Sequence, residues 1–229
     1  MKTIGLIGGI SWHSTAWYYA EMNRRVAARC GIHHSAKILM YSVNYAEYRA
    51  LQQENDWDAI ASMLSEIALR LEKAGADMVL ISCNTAHWVA PQIQATLLVP
   101  FLHIGDVTAD AILKQGFTRV GLLGSSYTME HDFIKERFRA KGIETLIPNS
   151  EDRKQLHEAL IQELAQGIFK PETKDMFLRV IQSLKEQGAE LIVLGCTEIG
   201  LLIQPTDTDM VLIDTAVVHC EAVVEEALG

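Results

Sequence analysis

The chain has no apolar run near the roughly 18 residues that a membrane-spanning helix needs. Its first residues, Met1 to Gly9, are apolar only briefly before turning to glycine, too short for a secretory signal, so a cytoplasmic protein is expected. Cysteine is scarce: Cys30, Cys83, Cys196 and Cys220 are the only 4 among 229 residues. That is too few for a disulfide framework, and reduced thiols are expected. Positive charge is short as well, with 20 Lys plus Arg against 29 Asp plus Glu and a net charge of −9. No basic face is available for a nucleic-acid backbone, which argues against that partner. A small anionic substrate stays open, because one or two well-placed cations can serve a pocket inside an acidic protein. What the chain does have is apolar material, 49% hydrophobic against 21% charged, enough for a packed core.

Short aliphatic or β-branched runs alternate with helical patterns. Candidate strands cover residues 3–7, 37–43, 78–82, 101–104, 120–123, 143–146, 191–194 and 211–213. Between them, Trp57, Ile60, Leu64, Ile67, Leu71 and Ala74 recur at steps of three or four, one apolar helical stripe. Repeated strand–helix alternation predicts an α/β fold with parallel sheets covered by helices.

The pattern also repeats internally. The segment from Lys73 to Thr85 matches that from Glu186 to Glu198: a glycine, an acidic residue, an aliphatic strand, then cysteine and small polar residues. Gly75 to Cys83 and Gly188 to Cys196 are both eight residues apart. Thr3-Ile4-Gly5-Leu6-Ile7-Gly8-Gly9 is echoed by Arg119-Val120-Gly121-Leu122-Leu123-Gly124-Ser125. Two matches in one order predict a duplicated four-strand unit, hence two lobes: residues 1–105 with 215–229, and residues 106–214. Both cysteine turns then lie at carboxyl ends of strands, where open α/β sheets bind ligands. If the halves face each other, Cys83 and Cys196 look at one another across a cleft.

Two equivalent thiols suit racemisation, in which one group removes a proton from one face of a carbon and another delivers one to the opposite face. A thiol can be brought towards neutrality by local dipoles, and each cysteine is expected to open a helix whose first N–H groups favour an anion. Amides at Asn84, Thr85, Thr197 and Glu198, with the Thr85 and Thr197 hydroxyls, could hold an α-carboxylate. Cys30, before Gly31, and Cys220, on the stripe Val217, Cys220, Val224, Leu228, read as structural. A zinc site from Cys83, His87, His103 and Cys196 lacks the paired spacing such sites show. Gly8-Gly9 lacks the dinucleotide and phosphate-loop patterns, and reads as backbone shaped for a small ligand, with Ser14 or Thr15 capping the next helix.

Gly8-Gly9-Ile10-Ser11-Trp12, Cys83-Asn84-Thr85-Ala86-His87 and Gly195-Cys196-Thr197-Glu198-Ile199, in this order, resemble the cofactor-independent aspartate/glutamate racemase superfamily over essentially the whole chain. The resemblance implies two pseudo-symmetric lobes with the active site between them and Cys83 and Cys196 as the acid/base residues. It places Ser11, Asn84, Thr85, Ala86, Thr197 and Glu198 among the substrate contacts. It further implies neither pyridoxal phosphate nor metal, and a homodimer; charge and hydropathy leave no nucleic acid or membrane partner expected. Glutamate racemases tend to carry Cys-Thr-His at the second motif, so Cys196-Thr197-Glu198 resembles the aspartate racemase branch. Relatives with threonine for the first cysteine act on other amino acids; cysteine at both places favours aspartate.

One departure stands out. Strict aspartate racemases carry an arginine in a proline-containing loop after the second strand, and a lysine before a glycine in the second lobe. Here residues 43–49 contain no proline, and Ala165 and Gln166 precede Gly167. A second substrate carboxylate needs a cation, ideally a forked guanidinium, and Arg49 is the candidate, with Lys170 behind it. The expected activity is interconversion of L- and D-aspartate. The alternatives are a glutamate or broad-specificity racemase, an isomerase of a dicarboxylic acid, or a non-catalytic amino-acid sensor.

Overall fold

A computed structural model describes all residues, 1–229. The chain divides into two compact units, Met1–His103 with His219–Gly229, and Ile104–Val218. No helix is long and apolar enough to cross a membrane.

The first unit runs β1 (Ile4–Gly8), α1 (Trp12–Cys30), β2 (Ile38–Ser42), α2 (Tyr45–Gln53), α3 (Trp57–Lys73), β3 (Met78–Ile81), a 3-10 turn (Thr85–Val89) and α4 (Ala90–Thr96). Its sheet is parallel, in the order β2-β1-β3. Strands β1 and β3 are wholly buried, as continuous apolar runs in a covered parallel sheet should be. Helix α3 lays Ile60, Leu64, Ile67 and Leu71 into the core beside Val79 and Ile81. Each such side chain contributes at most about 1.5–3 kcal/mol of burial. The stripe stops at Leu71, because Ala74 is an exposed helix cap. Trp57 stacks on Trp88 with ring centroids 4.0 Å apart, tying the start of α3 to the 3-10 turn.

The second unit runs α5 (Ile104–Lys114), β4 (Arg119–Leu123), α6 (Ser126–Glu130), α7 (Asp132–Ala140), β5 (Glu144–Leu146), α8 (Ser150–Gln162), α9 (Pro171–Glu186), β6 (Leu191–Leu194), α10 (Ile199–Leu202), β7 (Val211–Asp214) and α11 (Thr215–Leu228), the last ending in the first unit. Its four parallel strands lie in the order β5-β4-β6-β7. Phe177, Val180, Ile181 and Leu184 of α9 pack against Ile192 and Leu194, while Ile104, Ala109 and Ile112 of α5 pack with Val120, Leu191 and Val193.

The strand orders of the two sheets match, but the first sheet has three strands where four were expected. Residues 101–104 form a single parallel bridge between Phe101 and Val79. The Val79 N–H donates to Pro100 O and the Leu102 N–H to Val79 O, both at 2.9 Å. Pairing cannot extend. Pro100 has no N–H to donate, and Ile104 is already the first residue of α5, whose buried face it shares with Thr108, Ala109 and Ile112.

Candidate functional site

In the first unit the ladder runs one residue beyond β3: the Ser82 N–H donates to Ile7 O at 3.0 Å, and Cys83 follows. Beside it, Ser11 caps α1 by accepting the Ser14 N–H at 3.3 Å. The cap is therefore Ser11, rather than Ser14 or Thr15. The Thr15 hydroxyl accepts the Gly9 N–H at 2.9 Å and lies 3.1 Å from Ser82 Oγ, joining the start of α1 to the residue before Cys83.

Gly8 and Gly9 make this possible. A Cβ on Gly8 would fall 2.3 Å from Thr15 Cγ2, and one on Gly9, at φ +88°, would fall 2.2 Å from Val43 O. The close approach these glycines allow within the chain is to its own helix and loop.

Cys83 is half-buried against the core of its unit. Asn84 is buried, Thr85 is half-buried and Ala86 is wholly enclosed. The His87 N–H donates to Asn84 O at 3.0 Å, which winds the turn as a 3-10 helix. The His87 ring Nδ1 lies 2.8 Å from Cys83 O.

In the second unit the Gly195 N–H donates to Leu123 O at 2.7 Å, as Ser82 does to Ile7, and Cys196 follows. Each cysteine is therefore the second residue past a strand that pairs with the central strand of its sheet. Cys196 is half-buried; its thiol donates to Glu198 Oε2 at 3.0 Å, and the Thr197 hydroxyl donates to the same oxygen at 2.6 Å. The Cys196 carbonyl accepts the Ile199 N–H at 3.1 Å. Both expected helix starts are short, a five-residue 3-10 turn after Cys83 and the four residues of α10 after Cys196. Polarisation of these thiols thus rests on local amides and side chains more than on a long helix dipole.

Asp214, at the end of β7, was not singled out from sequence. Its Oδ1 accepts the Ala216 N–H at 2.8 Å and caps α11. Burial, with the nearby Glu198 carboxylate adding to it, pushes its carboxyl up to about 6 against the N–H groups of Ala216 and Val217. A Cβ on Gly200 would stand 2.1 Å from Asp214 Oδ2, so glycine is what admits this side chain beside α10. An aspartate between an aliphatic strand and a helical run is an N-cap signal, the one feature that could have found it.

Arg49 is half-buried on α2, forms no ion pair, and places its guanidinium 6.0 Å from the ring centre of Tyr45, one turn earlier. Lys170 is already engaged: its ammonium binds Glu163 at 2.8 Å and, with Thr173, holds that carboxyl below its ordinary range. Cys220 is fully buried as expected of packing, but Cys30 is exposed, because it ends α1 where the helix leaves the core. No group of three or more His, Cys, Asp or Glu side chains is disposed to hold a metal ion.

A crystal structure of a candidate Asp/Glu racemase from Yersinia pestis superposes with a TM-score of 0.95 at 43% identity, covering 100% of both chains. That of an aspartate racemase homologue from Pyrococcus horikoshii OT3 gives 0.88 at 33% identity, again over 100% of both. The broad specificity amino-acid racemase RacX of Bacillus subtilis (strain 168) is 25% identical over 174 residues, 76% of this chain and 75% of that protein. The sequence model described as Asp/Glu/Hydantoin racemase matches residues 7–223, a span that takes in both cysteine turns. On that match and on the shared fold, the chain belongs to the Asp/Glu/Hydantoin racemase family.

Proposed function

We propose that this protein is a cofactor-independent amino-acid racemase, acting first of all on aspartate, in which Cys83 and Cys196 form a two-base pair. The observation that carries the reading is the equivalence of the two thiols. Each is half-buried, each sits two residues beyond a strand flanking the central strand of its own parallel sheet, and each is followed by polar residues on a tight turn. Binding alone does not require two such thiols; removal and return of one proton does.

In the forward direction the thiolate of one cysteine takes the α-proton, leaving the electron pair delocalised onto the substrate carboxylate. The thiol of the other then gives its proton to the opposite face of the carbon, becoming the thiolate, and the product is the mirror image. The α-proton is only weakly acidic, so the site must stabilise charge on the carboxylate; the Thr85 and Thr197 hydroxyls, Asn84 and the turn amides are the donors suited to it. Glu198 holds the Cys196 proton on sulfur in the resting state, which makes Cys196 the acid for whichever enantiomer Cys83 deprotonates. Reduced sulfur at both positions suits a reducing compartment such as the cytoplasm.

Aspartate is favoured by cysteine at both positions and by Arg49, a cation with no carboxylate partner in the chain. A broad-specificity reading is favoured by one observation: Lys170, the other candidate cation, is spent on Glu163. The similarity to RacX points the same way.

Proton NMR in heavy water decides between these. L-aspartate should lose its α-proton signal while D-aspartate accumulates, and Cys83→Ala and Cys196→Ala should each abolish racemisation. Equal exchange of neutral amino acids would establish the broader specificity. Tight binding without exchange would mark an amino-acid sensor and refute the enzyme reading.

A further inference from the structure

Three histidines are buried together in the first unit, and the mechanism above uses none of them. His87 and His219 are 0% exposed and His103 is 2% exposed. The His87 ring packs edge-on against His103, with centroids 4.8 Å apart, and against His219 at 5.7 Å. The partners fix how these rings are protonated. A carbonyl oxygen can only accept, so His219 Nε2–H donates to Leu102 O at 3.0 Å, and His219 Nδ1 accepts the Tyr18 O–H at 3.1 Å. Burial, reinforced by His87, pushes the His219 imidazole down to about 3, so it is neutral. By the same rule His87 Nδ1 carries a hydrogen and donates it to Cys83 O at 2.8 Å.

From this geometry we propose that His87 is a positioning residue for Cys83: its ring, packed against the buried rings of His103 and His219, grips the Cys83 carbonyl and so sets the turn that presents the thiol. The other half of the molecule shows why a side chain is used. At Cys196 the backbone does the work, through the Ile199 N–H. After Cys83 the bond of the same span starts one residue later, from the His87 N–H to Asn84 O, and the His87 ring reaches Cys83 O. The cluster then links this turn to α1 through Tyr18, to α11 through His219 and to the bridging segment through Leu102. Phenylalanine would fill the same space without donating, and a charged imidazolium would be penalised by full burial.

The inference rests on Cys83 being an acid/base group, and its test separates the two claims. Asparagine places a donor where Nδ1 stands, glutamine places one where Nε2 stands, and phenylalanine keeps only the volume. His87→Asn should retain turnover, whereas His87→Gln and His87→Phe should lose up to about 100-fold in kcat with KM little changed, the scale of a misplaced catalytic group. The decisive readout is the primary isotope effect with α-deuterated L- and D-substrate. It should rise for the enantiomer whose proton Cys83 takes and not for its mirror image. A change equal in both directions, or an asparagine variant as impaired as the phenylalanine one, overturns the proposal. If the glutamine and phenylalanine variants do not fold, the same pair of isotope effects in Tyr18→Phe, which removes one oxygen from the far end of the cluster, supports it by asymmetry and overturns it by symmetry. A wild-type protein that exchanges no amino-acid α-proton refutes the racemase reading itself; symmetric variants of an active enzyme refute only the role of His87.

Discussion

The Cys196 thiol and the Thr197 hydroxyl converge on one oxygen, Glu198 Oε2, at 3.0 and 2.6 Å. An oxygen that accepts two hydrogens from its own neighbours, on a residue 7% exposed and close to the Asp214 carboxyl, has little capacity left for an anionic substrate. The side chain of Glu198 therefore serves the thiol, and any substrate contact at this residue falls to its backbone. Glu198→Gln keeps the shape but removes the charge. It should lower racemisation by about 100-fold, the lower end for loss of acid–base support. It should also return the Asp214 carboxyl towards its ordinary value, read as a downward shift of its carboxyl carbon titration by NMR. An unmoved Asp214 titration would mean that the two carboxyl groups do not interact.

Packing at the end of β1 offers a test free of any functional assumption. Gly8→Ala drives a methyl to 2.3 Å from Thr15 Cγ2, in a place where both neighbours are fixed by hydrogen bonds. The variant should lose about 1–3 kcal/mol of stability in denaturant titrations, the range for overpacking. Thr15→Ser removes that Cγ2 and should recover part of the loss in the double variant. Additive losses, with no coupling in the double-mutant cycle, would show that the clash is relieved elsewhere.

The residues that were legible in sequence are those whose role depends on local pattern. The α3 stripe, the aliphatic strands and the matched spacing before Cys83 and Cys196 are all statements about neighbours a few positions apart, and the sheets carry them. The strand expected at residues 101–104 failed because its apolar residues serve two elements: Phe101 makes the bridge and Ile104 begins a helix, and composition alone does not divide them. The buried histidines were illegible for a different reason. In sequence His87 and His103 register as zinc candidates, and His219 joins them only when α11 returns to the first unit, so no spacing announces the cluster. Glu198 reads in sequence as an amide donor beside Cys196, and the role of its side chain stays hidden, since a sequence does not say which way a carboxylate turns.

Two perturbed groups, the buried His219 and the half-buried Asp214, give stability a pH dependence with opposing signs. His219 has its folded-state value pushed down to about 3. Between about pH 3 and the ordinary histidine value near 6.5, the unfolded chain binds the extra proton, so stability is complete above about pH 6.5 and is lost as pH falls. Asp214 is pushed up to about 6. Between about pH 4 and 6 the folded chain binds the extra proton, so its contribution weakens as pH rises through that window. Near pH 5 the two oppose each other, each worth on the order of 1–2 kcal/mol. Denaturation midpoints from pH 4 to 7 should thus rise more steeply with pH in Asp214→Asn, which keeps the helix cap, and fall with pH in His219→Gln. Parallel profiles for both variants and the wild type would show that neither group is perturbed by folding. If the units unfold in separate transitions, each variant should alter only the transition of its own unit.

On the proposed reading, Arg49 sets how strongly the enzyme prefers acidic amino acids. A guanidinium that meets no carboxylate within the chain, half-buried and laid beside Tyr45, is placed at low entropic cost to receive one from outside. A forked, charge-assisted pair to the side-chain carboxylate of aspartate would contribute mainly to binding, because that group does not change charge as the α-carbon reacts. Arg49→Gln should therefore raise KM for aspartate by about 10- to 100-fold, as loss of a charged hydrogen bond of about 1.5–3 kcal/mol requires, and leave kcat nearly unchanged. Arg49→Lys should recover only part of the loss, since an ammonium cannot reproduce the fork. Racemisation of alanine or serine, if the protein accepts them, should not respond to either change. A variant that loses kcat on every substrate alike would show that Arg49 supports the fold of α2 or the reaction itself, and the preference for acidic substrates would then have to come from another group.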